Sequence, residues 1–267
     1  MIAFSSRPGL VVYVTCGDPD LTTSRSVIMA AIDAGADVIE LGVPFSDPLA
    51  DGPIIQRASQ RAVSAGTSLE NVLHLAAEIR RARRNAGLII FSYLNPILRF
   101  GLKKFCEQAE KAGIDGALIT DLTLEEAGEY RFLMKAHRLA PIFLAAPTSS
   151  DGRLRKIAEA SQGFIYAVSR TGVTGPAQSS DTKGDATQLV KRIRRCSKLP
   201  IAVGFGISSP DDFHAVGEFA DAAVVGSAIM RMIEENTSSG ASSAQAAQTV
   251  SAWIKSLRAA AGTKSRP

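Results

Sequence analysis

Along this chain, short apolar runs alternate with longer segments of helical periodicity. The runs cover residues 10–14, 38–41, 88–91, 117–119, 142–145, 164–168, 201–203 and 222–225, which makes eight candidate strands. Between them, residues 68–84 set Leu69, Val72, Leu73, Ala76 and Ile79 at helical spacing. Residues 124–137 open with Glu125 and Glu126 and close with Lys135 and His137, as the helix dipole favours. Strands alternating with helices predict parallel βαβ units.

A weak internal repeat sharpens the topology. Ala34-Gly35-Ala36-Asp37 leads into the second run, Ala112-Gly113-Ile114-Asp115 into the fourth, and Phe219-Ala220-Asp221-Ala222 into the eighth. Each reads as a helix end, often with Gly at its cap, turned into a strand by a short polar step. Equivalent junctions around the chain favour an α/β fold of the closed (β/α)8 TIM-barrel type, with an open doubly wound sheet as the alternative. A length of 267 residues suits one such barrel, so residues 1–267 are expected to form a single domain. Within it, residues 236–244 (NTSSGASSA) read as a polar linker. Residues 245–261 read as a terminal helix with Val250, Trp253, Ile254 and Leu257 on one face, packed on the barrel's outside, and 262–267 as a frayed tail.

Composition narrows the partners. The chain is 46% hydrophobic and 21% charged, and 30 Lys and Arg against 26 Asp and Glu is too mild an excess to call for nucleic acid. The clusters Arg80-Arg81-Ala82-Arg83-Arg84 and Lys191-Arg192-Ile193-Arg194-Arg195 fall late in helical segments and read as solvated helix ends. No aromatic residue interleaves with them, so a base-stacking platform is disfavoured. Cys16, Cys106 and Cys196 are odd in number and far apart, which fits neither a disulfide framework nor a metal knuckle and suits a reducing compartment. With no signal-like start and no run of ~18 apolar residues, a cytoplasmic location without a membrane span is expected.

The second apolar run, Val38-Ile39-Glu40-Leu41, contains an acid that packing does not explain. In a strand covered on both faces, an unpaired carboxylate costs several kcal/mol unless it is neutral or hydrogen-bonded. Glu40 alternates with Val38 and Gly42, so these three share a face, and if Ile39 and Leu41 meet the helices Glu40 points into the barrel mouth. Active sites of such barrels form there, at the carboxyl ends of the strands. The loop that follows, stiffened by Pro44, Pro48 and Pro53, offers Asp47 and Asp51. A buried floor carboxylate can be raised toward neutrality for proton transfer while a wetter loop carboxylate stays ionised. The competing readings are a Glu40 paired with arginine, and Asp47 and Asp51 serving turns and caps.

The second half carries glycine loops at three consecutive strand ends: Gly172-Val173-Thr174-Gly175, Gly204-Phe205-Gly206-Ile207-Ser208-Ser209, and Gly226-Ser227. Backbone N–H groups in such loops, leading into helix N-termini, present themselves to an anion, and together they point to a phosphate site; plain tight turns are the alternative. Acids near one part of the mouth and a phosphate grip at another imply a small phosphorylated substrate spanning them. Tyr166 either lines that pocket or is an ordinary core aromatic. His74, His137 and His214 lie in helical segments away from strand ends, which disfavours metal or triad chemistry.

The run ELGVPFSDPLADGPIIQ from Glu40 to Gln56 closely resembles the signature of the tryptophan synthase alpha subunit family. The resemblance extends through Thr15-Cys16-Gly17-Asp18-Pro19, Tyr93-Leu94-Asn95-Pro96, Asp121-Leu122, Ser169-Arg170-Thr171-Gly172-Val173-Thr174-Gly175, Gly204-Phe205-Gly206-Ile207-Ser208 and Gly226-Ser227-Ala228. It implies a (β/α)8 barrel that cleaves indole-3-glycerol phosphate to indole and glyceraldehyde 3-phosphate and passes indole to a beta subunit, in an α2β2 tetramer. By that resemblance Glu40 is the general acid/base and Asp51 stabilises positive charge on the indole nitrogen. Tyr13 and Tyr166 border the indole pocket, and Gly175, Gly204, Gly206, Gly226 and Ser227 hold the phosphate. Thr174 belongs to a loop that closes over the site, and Asp47 and Pro48 contact the partner. No cofactor or metal is implied for this chain, since pyridoxal phosphate belongs to the beta partner.

Three positions depart from the family pattern. The first strand begins within about ten residues, so the amphipathic helix that covers the barrel base in the family is expected to be missing and the base more open. Thr123 stands where proline is usual, in a loop that helps contact the partner, and Tyr13 stands where phenylalanine is usual, so its hydroxyl needs a partner. Two other functions stay in view: a regulatory subunit without turnover of its own, and another phosphate-binding barrel aldolase or isomerase. The lack of a lysine at any expected strand end weighs against the latter.

Overall fold

The computed structural model describes residues 2–168, 182–204 and 206–259. Its strands are β1 (Gly9–Thr15), β2 (Val38–Gly42), β3 (Gly87–Ser92), β4 (Gly116–Ile119), β5 (Ala140–Ile142), β6 (Leu144–Ala145), β7 (Ile165–Val168), β8 (Ile201–Gly204) and β9 (Ala222–Val225). All pairings are parallel, in the order β5-β4-β3-β2-β1-β9-β8-β7-β6. β5 and β6 are two pieces of the fifth expected strand, parted only by Phe143. The first piece pairs with β4 and the second with β7, and Tyr166 N–H reaches Phe143 O at 3.2 Å. The break therefore sits where the ring closes, and the eight-stranded barrel expected from the repeat is the fold observed.

The helices are α1 (Leu21–Asp33), α2 (Pro53–Ser64), α3 (Leu69–Ala82), α4 (Leu94–Phe100), α5 (Leu102–Lys111), α6 (Gly128–Ala136), α7 (Asp151–Ala160), α8 (Thr182–Arg194), α9 (Pro210–Gly217), α10 (Ser227–Ser238) and α11 (Ser243–Ala259). Strand alternation divides the apolar residues into two cores. Val11, Val38, Ile89, Leu118, Ile142, Phe164, Ala202, Ala222 and Val224 fill the barrel, whereas Val12, Ile39, Leu41, Leu88 and Ile90 pack outward against the helices. Each Val, Leu, Ile or Phe among them, fully buried, stabilises the fold by roughly 1.5–3 kcal/mol.

The base of the barrel is filled, not open as expected. Ile2 and Phe4 pack onto the inner core, and the Phe4 ring meets Phe164 edge-on with centroids 6.0 Å apart. Gly9 makes room for that ring, because a Cβ there would stand 2.4 Å from Phe4 Cδ1. An irregular segment thus supplies the apolar cover that the resemblance assigns to a helix.

The acids of the repeated junctions explain the repeat. Each accepts a backbone N–H at the start of the neighbouring strand: Asp37 from Leu10 at 2.8 Å, Asp115 from Leu88 at 2.9 Å, and Asp221 from Ile201 at 2.8 Å. Each also receives an arginine: Arg258 on Asp37 at 2.6 Å, Arg80 on Asp115 at 2.7 Å, and Arg194 on Asp221. Arg192 likewise bonds Asp151 at 2.9 Å and Pro147 O at 3.0 Å. Arg80, Arg192 and Arg194 therefore fasten loops and strands together, which corrects their reading as solvated helix ends.

Two element boundaries also differ from expectation. α6 begins at Gly128, because residues 123–127 form turns in which Thr123 Oγ1 donates to Glu126 Oε2 at 2.8 Å. The polar stretch at 236–244 is mostly helical: Asn236 and Thr237 bond back to Met232 O and Ile233 O, and α10 continues to Ser238. Only residues 239–242 connect it to α11, whose start is set by Ser242, which takes Gln245 N–H and donates its own N–H to Gln245 Oε1. α11 packs on the outside, chiefly against α1.

Candidate active site

Glu40 lies on β2 opposite Tyr13 of β1, inside the barrel and near its carboxyl-terminal end. Its neighbours Ile39 and Leu41 belong to the outer core, so the alternation read from the sequence holds. The residue is 1% exposed, and neither carboxyl oxygen has a hydrogen-bond partner among the described residues. Burial pushes its pKa up to about 8, so at neutral pH Glu40 is a neutral acid able to give a proton away. No described arginine or lysine pairs with it, which removes the structural ion-pair reading.

Asp51 ends the loop after β2 and is 6% exposed. Its N–H reaches Pro48 O at 3.0 Å, its carbonyl accepts Gln56 Nε2 at 2.9 Å, and Tyr93 Oη donates to Oδ2 at 3.0 Å. Tyr93 Oη in turn accepts Ala50 N–H at 2.9 Å, so one phenol holds both the loop and its acid. Gly52 and Pro53 then start α2, with proline at the position where its missing N–H costs nothing. Burial raises Asp51 to about 6, opposed by the Tyr93 hydrogen bond. The expectation of a wetter loop acid is corrected in degree: Asp51 is also buried, yet it ionises about two pH units below Glu40. Asp47 and its neighbour Pro48 face outward, with Asp47 O closing a turn to Leu49 N–H at 2.9 Å.

Tyr93 was not singled out as a site residue. It stands just past β3, beside β2, and only the barrel order brings it to Asp51. The signal present in the sequence was its membership of the Tyr93-Leu94-Asn95-Pro96 motif.

Tyr13 and Tyr166 both point into the barrel. Tyr13 Oη finds its required partner in Thr15 Oγ1 at 3.2 Å, and its ring meets Phe91 edge-on at 5.1 Å. A Cβ at Gly42 would stand 2.5 Å from Tyr13 Oη, and one at Gly204 would stand 3.0 Å from Tyr166 Oη. These two glycines are thus needed to seat the phenols. Burial, with the nearby charges of Asp51 and Glu40, raises both tyrosine pKa values, so both remain protonated hydrogen-bond donors at neutral pH.

Among the described residues, the glycines after β8 and β9 lie at neighbouring strand ends. Gly204 closes β8, and Gly206 adopts φ +67° with open space where a Cβ would be. Gly226 is the N-cap of α10 and Ser227 its first residue; no side chain among the described residues caps this end, which leaves its first N–H groups available to an anion. Thr174 and Gly175 lie outside the described residues. Around the ring, β2 with Glu40 is followed by β1 with Tyr13, then β9 and β8 with Gly226, Gly204 and Gly206, and β7 with Tyr166. Two carboxyl groups with separated pKa values beside an uncapped helix N-terminus can transfer a proton, stabilise positive charge and hold a phosphate.

The family model for the tryptophan synthase alpha chain matches residues 2–261. The tryptophan synthase alpha chain of Solibacter usitatus is 48% identical over 236 residues, covering 88% of this chain and 87% of that one. That of Geobacter sulfurreducens is 43% identical over 258 residues, 97% and 95% of the two chains. Among solved structures, tryptophan synthase from Mycobacterium tuberculosis superimposes with a TM-score of 0.85 at 34% identity, covering 95% of this chain and 92% of that chain.

Proposed function

Because the chain belongs to the tryptophan synthase alpha chain family, we propose that Glu40 and Asp51 carry its reaction, with Tyr93 holding Asp51 and Gly226 and Ser227 gripping the phosphate. The activity is that of a carbon-carbon lyase in tryptophan biosynthesis, which cleaves indole-3-glycerol phosphate to indole and glyceraldehyde 3-phosphate. The observation that carries the residue assignment is the orphaned, neutral carboxyl of Glu40 at the barrel mouth.

Cleavage needs a proton delivered to the indole carbon that leaves and a proton removed from the adjacent side-chain hydroxyl. The bond between those carbons then breaks, and its electrons return to the ring as the aldehyde forms. Glu40, protonated at neutral pH, gives the first proton and as carboxylate takes the second. Protonating the ring carbon places positive charge on the ring nitrogen, where ionised Asp51 stabilises the transition state more than the ground state. Tyr13 and Tyr166 line the ring's pocket, and the N–H groups at Gly206, Gly226 and Ser227, with Gly204, Thr174 and Gly175, enclose the phosphate.

The partner is a tryptophan synthase beta subunit, with an α2β2 tetramer as the proposed assembly and pyridoxal phosphate carried by the partner alone. Asp47 and Pro48 sit beside Leu49, which is 83% exposed, and Leu98 of the adjoining α4 is 54% exposed. Such apolar side chains at the rim fit a protein contact. No described helix is long and apolar enough to cross a membrane, and a cytoplasmic location is proposed. The test is indole release from indole-3-glycerol phosphate by the purified chain, with and without a beta subunit. Slow release that rises strongly with the partner supports the reading, and no release from folded protein in either condition overturns it.

A further inference from the structure

Asp18, in the turn after β1, is 1% exposed, so its carboxylate needs a partner. Arg61 of α2 supplies one in a two-pronged grip, with Nε on Oδ1 at 2.7 Å and Nη2 on Oδ2 at 2.9 Å. The remaining nitrogen, Nη1, reaches Glu234 Oε1 of α10 at 2.7 Å. Arg57, one turn earlier on α2, takes the same Glu234 with Nε at 2.8 Å and Nη2 at 2.7 Å. Only a guanidinium can grip one carboxylate with two nitrogens and still reach a second acid.

The helices so joined are the two that frame the proposed site. α2 starts directly after Asp51 and Gly52, and Gln56 within it returns to Asp51 O. α10 starts at Ser227, with Gly226 as its N-cap. The two helices pack against each other beside β1, where Thr15 N–H meets Met230 Sδ of α10 at 3.3 Å. Asp18, Arg61, Glu234 and Arg57 therefore connect the helix that carries the acid to the helix that opens the anion end.

We propose that Arg61 is a positioning residue for the lyase reaction: by holding Asp18 and Glu234 at once it sets α2, and through it Asp51, relative to the head of α10. This rests on the lyase reading above. Without Arg61, Asp18 is a buried charge with no partner, α2 loses its grip on the turn after β1 and is held to α10 through Arg57, and Asp51 gains water. A shift of about 1 Å in a catalytic group is enough to cost on the order of 100-fold in rate.

The experiment measures indole release by wild type, Arg61→Met, Asp51→Asn and the double variant, each in the complex with a beta subunit. Arg61→Met is expected to lower kcat at least ~10-fold with a smaller change in KM, and to move the acid limb of kcat/KM to lower pH as Asp51 becomes better solvated. In the Asp51→Asn background the same substitution is expected to cost less than about 2-fold, because residues that act through one group are not additive. Equal losses in both backgrounds, or an unmoved acid limb, overturn the proposal; a purely structural role lowers only the melting temperature. If Arg61→Met does not fold, Glu234→Gln leaves the Asp18–Arg61 grip intact and is expected to show the same non-additivity with a smaller loss. Absence of indole from the wild-type complex overturns the lyase reading and this proposal with it, whereas indole from wild type with additive losses overturns the proposal alone.

Discussion

Tyr93 donates its hydroxyl hydrogen to Asp51 Oδ2 across 3.0 Å, and this bond counters the upward push of burial on the Asp51 pKa. Tyr93→Phe removes it, so the Asp51 pKa rises further. The acid limb of kcat/KM is expected to move to higher pH, with lower activity near pH 6 and a smaller loss at higher pH. A pH profile of indole release by the two proteins checks this.

The two carboxyl groups together set a window. Asp51 must be ionised, which requires pH above about 6, and Glu40 must be protonated at the start, which requires pH below about 8. Wild-type kcat/KM is expected to be bell-shaped between those values. Asp51→Asn is expected to abolish the acid limb along with most of the rate, and the same kinetic series measures both.

Glu40 also makes stability depend on pH. Its carboxyl ionises near 4.5 when unfolded and near 8 when folded, so the folded state holds the proton across that range. Stability contributed by the neutral carboxyl is complete at low pH and is lost as pH rises through that interval. Glu40→Gln cannot ionise, so from pH 5 to pH 8 it is expected to gain about 3 kcal/mol relative to wild type. Urea unfolding of both proteins at the two pH values tests the sign and the size.

At the base of the barrel, Asp115 accepts Leu88 N–H and Arg80 together. Asp115→Ala takes this acceptor from Leu88 N–H and from Arg80 Nη2, while Arg80 keeps its bonds to Gly113 O, Arg84 O and Ala86 O, and is expected to cost about 2 kcal/mol of stability. Because this clamp lies at the end of the barrel away from the mouth, kcat is expected to stay unchanged below the melting transition. Thermal unfolding and indole release on the same samples separate the two effects.

The strands and the recurring junctions were legible in the sequence because their signal is local, whereas the arginine clamps on those junctions were not, since Arg258 reaches Asp37 from 221 positions away. Runs such as Val38-Ile39 mark a covered strand, and Asp37, Asp115 and Asp221 recur at equal points because each closes the same strand junction. Glu40 was legible as an acid without a packing role. The burial of Asp51 was not, since it depends on Tyr93, 42 positions away, arriving from the next strand. Nor was the filling of the base by Ile2 and Phe4, because two apolar residues in an irregular segment have no periodicity to read.

The central claim is that the neutral carboxyl of Glu40 delivers the proton that breaks the carbon-carbon bond. Indole release by Glu40→Gln, measured at pH 7 in the complex with a beta subunit and on protein shown to be folded, tests it most directly. The amide keeps the shape and cannot give or take the proton, so a loss of at least ~100-fold with near-normal substrate binding is expected. A Glu40→Gln enzyme that releases indole at close to the wild-type rate would contradict the account.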